Sequence, residues 1–222
     1  MAPDEKQVIG SVRTQDLSVS WVSEPGTDGE NTDRVCILTM ANGQIRLTMQ
    51  SASLNLRGMR LTKGHICVFA LFEARGPGGA EAADKASETF INEMMKYDIT
   101  KKPAPDILKK CLSKADRAVA DRKGYKASIT AFASKEMTAC CANGGKVFVL
   151  QDDGKVIRFT SDGVETLSAG TSWKSVMMVS DGYRLVEGEI KEDMHAPMGD
   201  LITKREMRSL PATSSVIRVQ RL

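Results

Sequence analysis

The chain has 222 residues, of which 41% are hydrophobic and 27% charged, a balance that suits one globular domain with a substantial core. Its 31 basic and 28 acidic side chains leave a net charge of only +3, without the concentrated basic face of a nucleic-acid binder, so no nucleic-acid partner is expected. No apolar run is long enough for a membrane-spanning helix, and the opening MAPDEKQVIGSV lacks the apolar core of a signal peptide. A cytoplasmic or nuclear setting with no membrane partner follows as the expectation.

In chain order, residues 1–15 read as a polar, flexible tail, and residues 16–222 as a single domain. Leu17 to Val22 alternates like a half-buried strand, and SEPGTDGENTD after it is a polar loop. Arg34–Met40 and Ile45–Met49 read as two strands joined by a hairpin, because Asn42-Gly43 tolerates positive φ at both central positions. The run from His65 to Phe72 is continuously apolar and predicts a central strand that stops at Glu73. A Gly/Pro corner, Gly76-Pro77-Gly78-Gly79, leads into a helix over 80–95 with Ala83, Ala86, Phe90 and Met94 on one face. A Pro-rich break follows. The next helix, over about 106–121, has an apolar face of Ile107, Leu108, Cys111, Leu112, Ala115 and Val119 and stops at Gly124.

The remainder reads mainly as sheet. Strands are predicted at 128–133, 137–142, 146–151, 156–159, 175–179 and 215–219, with tight hairpins at Asn143-Gly144-Gly145 and at Asp152-Asp153-Gly154-Lys155. Cys140 and Cys141 are expected to face opposite sides of one strand. The five cysteines include no C-x-x-C pair, and only two histidines occur, so a disulfide framework, a zinc site or histidine chemistry has little to build with. Two adjacent helices between groups of strands predict an α+β fold with mostly antiparallel sheets.

Four segments carry a more specific pattern. They are Val68-Phe69-Ala70-Leu71-Phe72-Glu73-Ala74-Arg75-Gly76-Pro77-Gly78-Gly79-Ala80-Glu81-Ala82-Ala83, then Lys126-Ala127-Ser128-Ile129-Thr130-Ala131, then Cys141-Ala142-Asn143-Gly144-Gly145-Lys146-Val147, and last Val176-Met177-Met178-Val179-Ser180-Asp181-Gly182. Their order, the apolar strand before each, and the helix pair between the first two resemble the protein phosphatase 2C family of metal-dependent Ser/Thr phosphatases. The tail Ala212-Thr213-Ser214-Ser215-Val216-Ile217-Arg218-Val219 is similar to that family's closing strand. The resemblance spans about residues 65–222. It implies a shortened α-β-β-α sandwich, two mostly antiparallel sheets flanked by helices.

The same resemblance implies two Mg²⁺ or Mn²⁺ ions held by carboxylates, which activate a water for attack on a phosphate ester. The residues here depart from that requirement. Glu73 stands where an Asp should bridge both metals, Ala74 replaces a Gly, and Arg75 puts a fixed cation beside the metals. Gly145 aligns with a further Asp, and Ala212-Thr213 stand in place of Asp-Asn. Asp181 is retained. Asn31-Thr32-Asp33 is the nearest counterpart of an early acidic pair. Glu73 and Asp181 are thus the candidate metal ligands, and Arg75 is expected to lie across the pocket and pair with one of them.

The expected function is therefore a catalytically inactive phosphatase-like domain, a pseudophosphatase that regulates or scaffolds phospho-signalling by binding another protein, such as a kinase or a phosphatase client. No catalytic residue and no cofactor are expected. The alternative is residual Ser/Thr phosphatase activity with Mg²⁺ or Mn²⁺ on Glu73 and Asp181. A phosphate held by Arg75 and the Gly76–Gly79 amides is a further variant. The Met-containing pieces Glu93-Met94-Met95 and Met194 to Met198 read either as core or as contact surface.

Overall fold

The structure is a computed structural model. It describes residues 8–13, 17–25, 27, 31–41, 44–49, 52–56, 66–97, 105–121, 124–133, 136–204 and 213–222. Thirteen strands and four α-helices are found among these residues. In chain order they are β1 (Val8–Arg13), β2 (Leu17–Glu24), β3 (Asp33–Ala41), β4 (Gln44–Met49), β5 (Ala52–Leu56), β6 (Ile66–Glu73), α1 (Gly79–Met94), α2 (Pro105–Ala118), β7 (Lys126–Ala133), β8 (Glu136–Ala142), β9 (Lys146–Gln151), β10 (Val156–Thr160), β11 (Glu165–Gly170), β12 (Trp173–Val179), α3 (Ile190–Asp193), α4 (Met198–Lys204) and β13 (Ser214–Arg221).

The strands form two antiparallel sheets, one of six in the order β1-β2-β13-β12-β9-β10 and one of seven in the order β11-β8-β7-β6-β3-β4-β5. Alternation along each strand decides what each sheet covers. From β6, Cys67, Phe69 and Leu71 enter the core between the sheets, where they meet Trp21, Val149, Trp173, Met178 and Ile217 of the other sheet. Val68, Ala70 and Phe72 point the other way, onto the apolar faces of α1 and α2. This is why β6 reads as an unbroken apolar run: it is buried on both faces. A third cluster covers the outer face of the six-stranded sheet, with Phe148, Met177 and Val216 under Ile190, Met194, Met198 and Leu201 of α3, α4 and their connection. The layers are helices, sheet, sheet, helices.

Cys140 joins the helix-facing core and Cys141 the inter-sheet core, on opposite faces of β8. All five cysteines are free and buried. Burial pushes the thiols of Cys36, Cys67 and Cys140 up to about 12, which removes the thiolate a nucleophile needs. Met94, Met194 and Met198 are core residues rather than contact surface. The β8–β9 hairpin has positive φ at both Asn143 and Gly144, which lets two residues reverse the chain. Ala41 pairs with Gln44 as expected for the earlier hairpin, whose two central residues lie outside the described set.

Two stretches differ from the sequence expectation. The segment read as a flexible tail supplies β1, an edge strand paired with β2 from Val8↔Ser23 to Arg13↔Ser18. Its polar residues escaped a strand assignment because an edge strand with one partner needs little apolar patterning. The stretch between Gly163 and Trp173 is a second edge strand, β11, paired with β8 and half exposed along its length.

Candidate functional site

The polar residues of interest gather at one end of the sandwich, where strands of both sheets begin or stop. Glu73 is the last residue of β6. It follows Phe69 and Leu71 in steps of two, so its carboxylate turns into the space between the sheets. Its register partners are Asp33 at the start of β3 on one side and Lys126 at the start of β7 on the other. From the facing sheet, Asp181 follows β12 and Lys146 opens β9.

These groups form one ionic cluster. Glu73 Oε2 accepts the backbone N–H of Asp181 at 3.0 Å, and Glu73 Oε1 accepts Arg75 Nε at 3.2 Å. Arg75 Nη2 also lies 3.6 Å from Asp181 Oδ2. The same Oδ2 accepts a short hydrogen bond from Lys126 Nζ, while Oδ1 accepts Lys146 Nζ at 2.6 Å. Burial alone would raise the Asp181 carboxyl. The lysine hydrogen bonds and charges outweigh it and hold this acid below its ordinary range. Glu73 goes the other way: burial first, then repulsion from Asp181, push it up against the lowering pull of the Asp181 amide, Arg75 and Lys126.

Asp33 is the most constrained of the acids. It is 1% exposed, and neither carboxyl oxygen makes a hydrogen bond of ordinary geometry among the described residues. Burial, then the Glu73 carboxylate opposite, push it up to about 8; the nearby Ser215 and Ser180 hydroxyls draw it down only in part. Its backbone is fixed from several sides. The Asp33 N–H donates to Asn31 Oδ1 at 3.1 Å, and Asn31 Nδ2 donates to Ser23 Oγ at 2.8 Å. Ser23 and Ser215 share a hydrogen bond of 2.7 Å, and the Ser215 N–H donates to Ser180 Oγ at 2.8 Å. Arg34 next door makes two hydrogen bonds to Asp84 on α1 and donates to the Asn31 and Asp33 carbonyls.

The positions named from sequence fall as follows. Glu73, Arg75 and Asp181 come together, and Ala74 is buried against the base of α1, where its carbonyl would lie 2.9 Å from a Cβ on Gly79. Gly145 sits at the same end, but a Cβ there would lie 1.9 Å from the Ala127 carbonyl oxygen. The backbones pass too closely for any side chain, so this position cannot carry an acid in the present fold. Gly182 has the same relation to the Thr213 carbonyl, at 2.0 Å. Ala212 and His65 lie outside the described residues. Arg75 faces the two carboxylates rather than the Gly76–Gly79 amides, and the Gly79 amide already donates to the Gly76 carbonyl.

Lys126 and Lys146 stand within two of the quoted segments, but the sequence assigns them no role at the site, and it offers Asp33 only as the nearest counterpart of an acidic pair. A lysine at a strand start looks like a solvated end. Only the sheet register brings both ammonium groups onto Asp181.

The donor set does not fit a pair of divalent ions in this arrangement. Such ions need several free oxygens in near-octahedral array. Both oxygens of Asp181 are occupied by ammonium groups, Glu73 by a guanidinium and an amide, and Asp33 is held as a buried acid. Among the described residues, no three His, Cys, Asp or Glu side chains form a group able to hold a metal ion. No helix among them is long and apolar enough to cross a membrane.

No family model matches the sequence, and no curated protein matches it in sequence. The fold has many counterparts among solved structures. RsbX in complex with magnesium superposes with a TM-score of 0.64 at 14% identity, over 97% of this chain and 100% of that one. The catalytic domain of the Ser/Thr protein phosphatase PstP with two manganese ions gives 0.60 at 14% identity, over 93% and 99%. The PP2C phosphatase domain of SpoIIE from Bacillus subtilis, solved with a fragment of its regulatory domain, gives 0.58 at 12% identity, over 99% of this chain and 70% of that one. The layers, the sheets and these superpositions, over 97%, 93% and 99% of this chain, agree: this chain has the α+β sandwich fold of the protein phosphatase 2C family.

Proposed function

We propose that this chain is a catalytically silent protein phosphatase 2C-like domain, which acts by binding another protein as a regulator or scaffold in phospho-signalling. One observation carries the reading. Asp181, the acid retained from the fourth motif, is neutralised by Lys126 and Lys146 on its two oxygens, with Arg75 alongside. The end of the sandwich where relatives would use metal charge is closed by the protein's own cations. Ammonium groups hold carboxylates together, but they do not activate a water or polarise a phosphoryl oxygen as a divalent ion does.

Calorimetric titration with Mg²⁺ and Mn²⁺, paired with turnover of p-nitrophenyl phosphate, tests the reading. No binding heat at millimolar metal and no metal-dependent turnover are expected. Two ordered ions on Glu73 and Asp181 would defeat it. A second reading, residual metal-dependent phosphatase activity through Glu73 and Asp181, draws support from Asp33, which places a third carboxyl beside Glu73. Metal-dependent turnover that disappears in Asp181→Asn would establish that alternative.

A further inference from the structure

A second feature lies on the outer face of the six-stranded sheet and shares no residue with the ionic cluster. A cleft of about 420 Å³ opens there between β9, β10 and the approach to α3. Four apolar side chains line it, Phe148, Val156, Leu185 and Ile190, together with the two cations Arg158 and Lys191. Both cations are exposed, and neither makes a hydrogen bond or ion pair with any described residue. Val186, beside the cleft residue Leu185, is 38% exposed, one of two large hydrophobics left so open among the described residues.

The cleft borders a sheet edge. Among the described residues, β10 is the terminal strand of its sheet and pairs only with β9. Its side chains divide by alternation: Ile157 and Phe159 pack toward the inter-sheet core, while Val156 and Arg158 face the cleft. An edge strand presents unpaired backbone N–H and C=O groups to any chain that lies along it.

We propose that the cleft and the free edge of β10 bind a short extended segment of a partner protein, in which an apolar and an acidic residue stand two positions apart. An added strand would extend the sheet and place its side chains directly opposite those of β10. Residues two apart share a face. The one beside Val156 then enters the apolar cleft, and the one beside Arg158 meets its guanidinium and the ammonium of Lys191. The cleft has the size of a small-ligand site, enough for one large side chain. The two cations, without a partner among the described residues, select an acidic segment over a basic one, and the five residues of β10 limit the contact to a short motif. This specifies the partner-binding half of the function proposed above and does not depend on whether the domain turns over phosphate. Phosphate-ester turnover, measured separately, bears on the catalytic half alone.

The test is selection of a random dodecapeptide phage library on the intact protein, with Arg158→Glu/Lys191→Glu as the counter-target. The expected consensus is apolar-x-acidic or its reverse. A fluorescein-labelled peptide of that consensus should bind roughly tenfold or more weaker to the double variant. It should also weaken on Leu185→Asp, and it should slow amide hydrogen exchange across residues 156–160. The double variant should keep the wild-type melting temperature, since it alters two exposed side chains that have no partner among the described residues. Failure to enrich any sequence, a basic consensus, binding indifferent to both variants, or unchanged exchange in β10 would each overturn the proposal. So would binding of decanoate in the cleft with no peptide enriched, which would mark a small-molecule pocket.

Discussion

Replacing Asp33 by Asn keeps the shape of the side chain and removes its titration. In the folded protein the Asp33 carboxyl is raised from 3.8 to about 8 by burial and by Glu73 opposite. A tenfold change in proton affinity is worth about 1.4 kcal/mol, so this rise corresponds to roughly 6 kcal/mol, shared between Asp33 and Glu73. Domains of this kind have total stabilities of only about 5–15 kcal/mol, which makes the effect easy to measure. The direction is fixed by proton linkage. Between about pH 4 and 8 the folded state holds a proton that the unfolded state has released. Stability from this group is therefore fully present below about pH 4 and is lost as pH rises through 8. The Asp33→Asn variant lacks that loss. Urea unfolding followed by the fluorescence of Trp21 and Trp173, both buried between the sheets, reads the difference. The variant should match the wild type near pH 4 and exceed it by several kcal/mol near pH 9. A difference that stays flat over this range, or that shrinks as pH rises, would refute the picture of a buried acid pressed against Glu73.

Other substitutions at the same end carry their own expectations. Lys126→Met/Lys146→Met strips Asp181 of both ammonium partners and should cost about 1–3 kcal/mol by thermal unfolding at neutral pH, since the carboxylate is partly screened by solvent. That cost should fade in acid, because a carboxyl held below its ordinary range contributes stability above that range and loses it as pH falls. A double variant as stable as the wild type at pH 7 would sink the ion-pair account. Gly145→Asp, which would restore an acid where the family resemblance sets one, should fail to create a metal site and should destabilise by about 3 kcal/mol or more, because its Cβ meets the Ala127 carbonyl at 1.9 Å; a well-folded variant that binds Mn²⁺ in calorimetry would contradict this. Asn143→Ala should cost about 1–2 kcal/mol, by losing the 2.5 Å hydrogen bond to Asp116 and by placing alanine at φ 53°, whereas Asn143→Gly should recover part of the loss in the same melting assay.

What the sequence discloses and what it withholds divide along local and non-local lines. The β6 strand, the buried faces of α1 and α2, the Asn143-Gly144 reversal and the split of Cys140 from Cys141 all follow from patterns within a few neighbouring residues. The edge strands β1 and β11 carry little such pattern, being half covered or paired on one side. At the candidate site, Glu73 and Asp181 announce themselves because each ends an apolar run. Lys126, Lys146 and Asp33 do not, because their meaning depends on which strands lie side by side. Asp33 faces Glu73 only because β3 is the neighbour of β6. Lys146 reaches Asp181 only because β9 is the neighbour of β12. Sheet order is set by the whole chain, and no short stretch contains it.

The position of β13 has a bearing on how the protein comes to be folded at all. It is the last of these strands along the chain, yet it lies inside its sheet, between β2 and β12, and Ser23 meets Ser215 across a separation of 192 residues. Contacts that close such long loops form late and slowly. During synthesis the six-stranded sheet therefore waits as two pieces, β1-β2 and β12-β9-β10, with Val19, Trp21, Val176 and Met178 lacking their final neighbours until residues 214–221 leave the ribosome. A nascent chain in that condition exposes apolar strand faces and two open edges, the state on which chaperones act and from which aggregation starts.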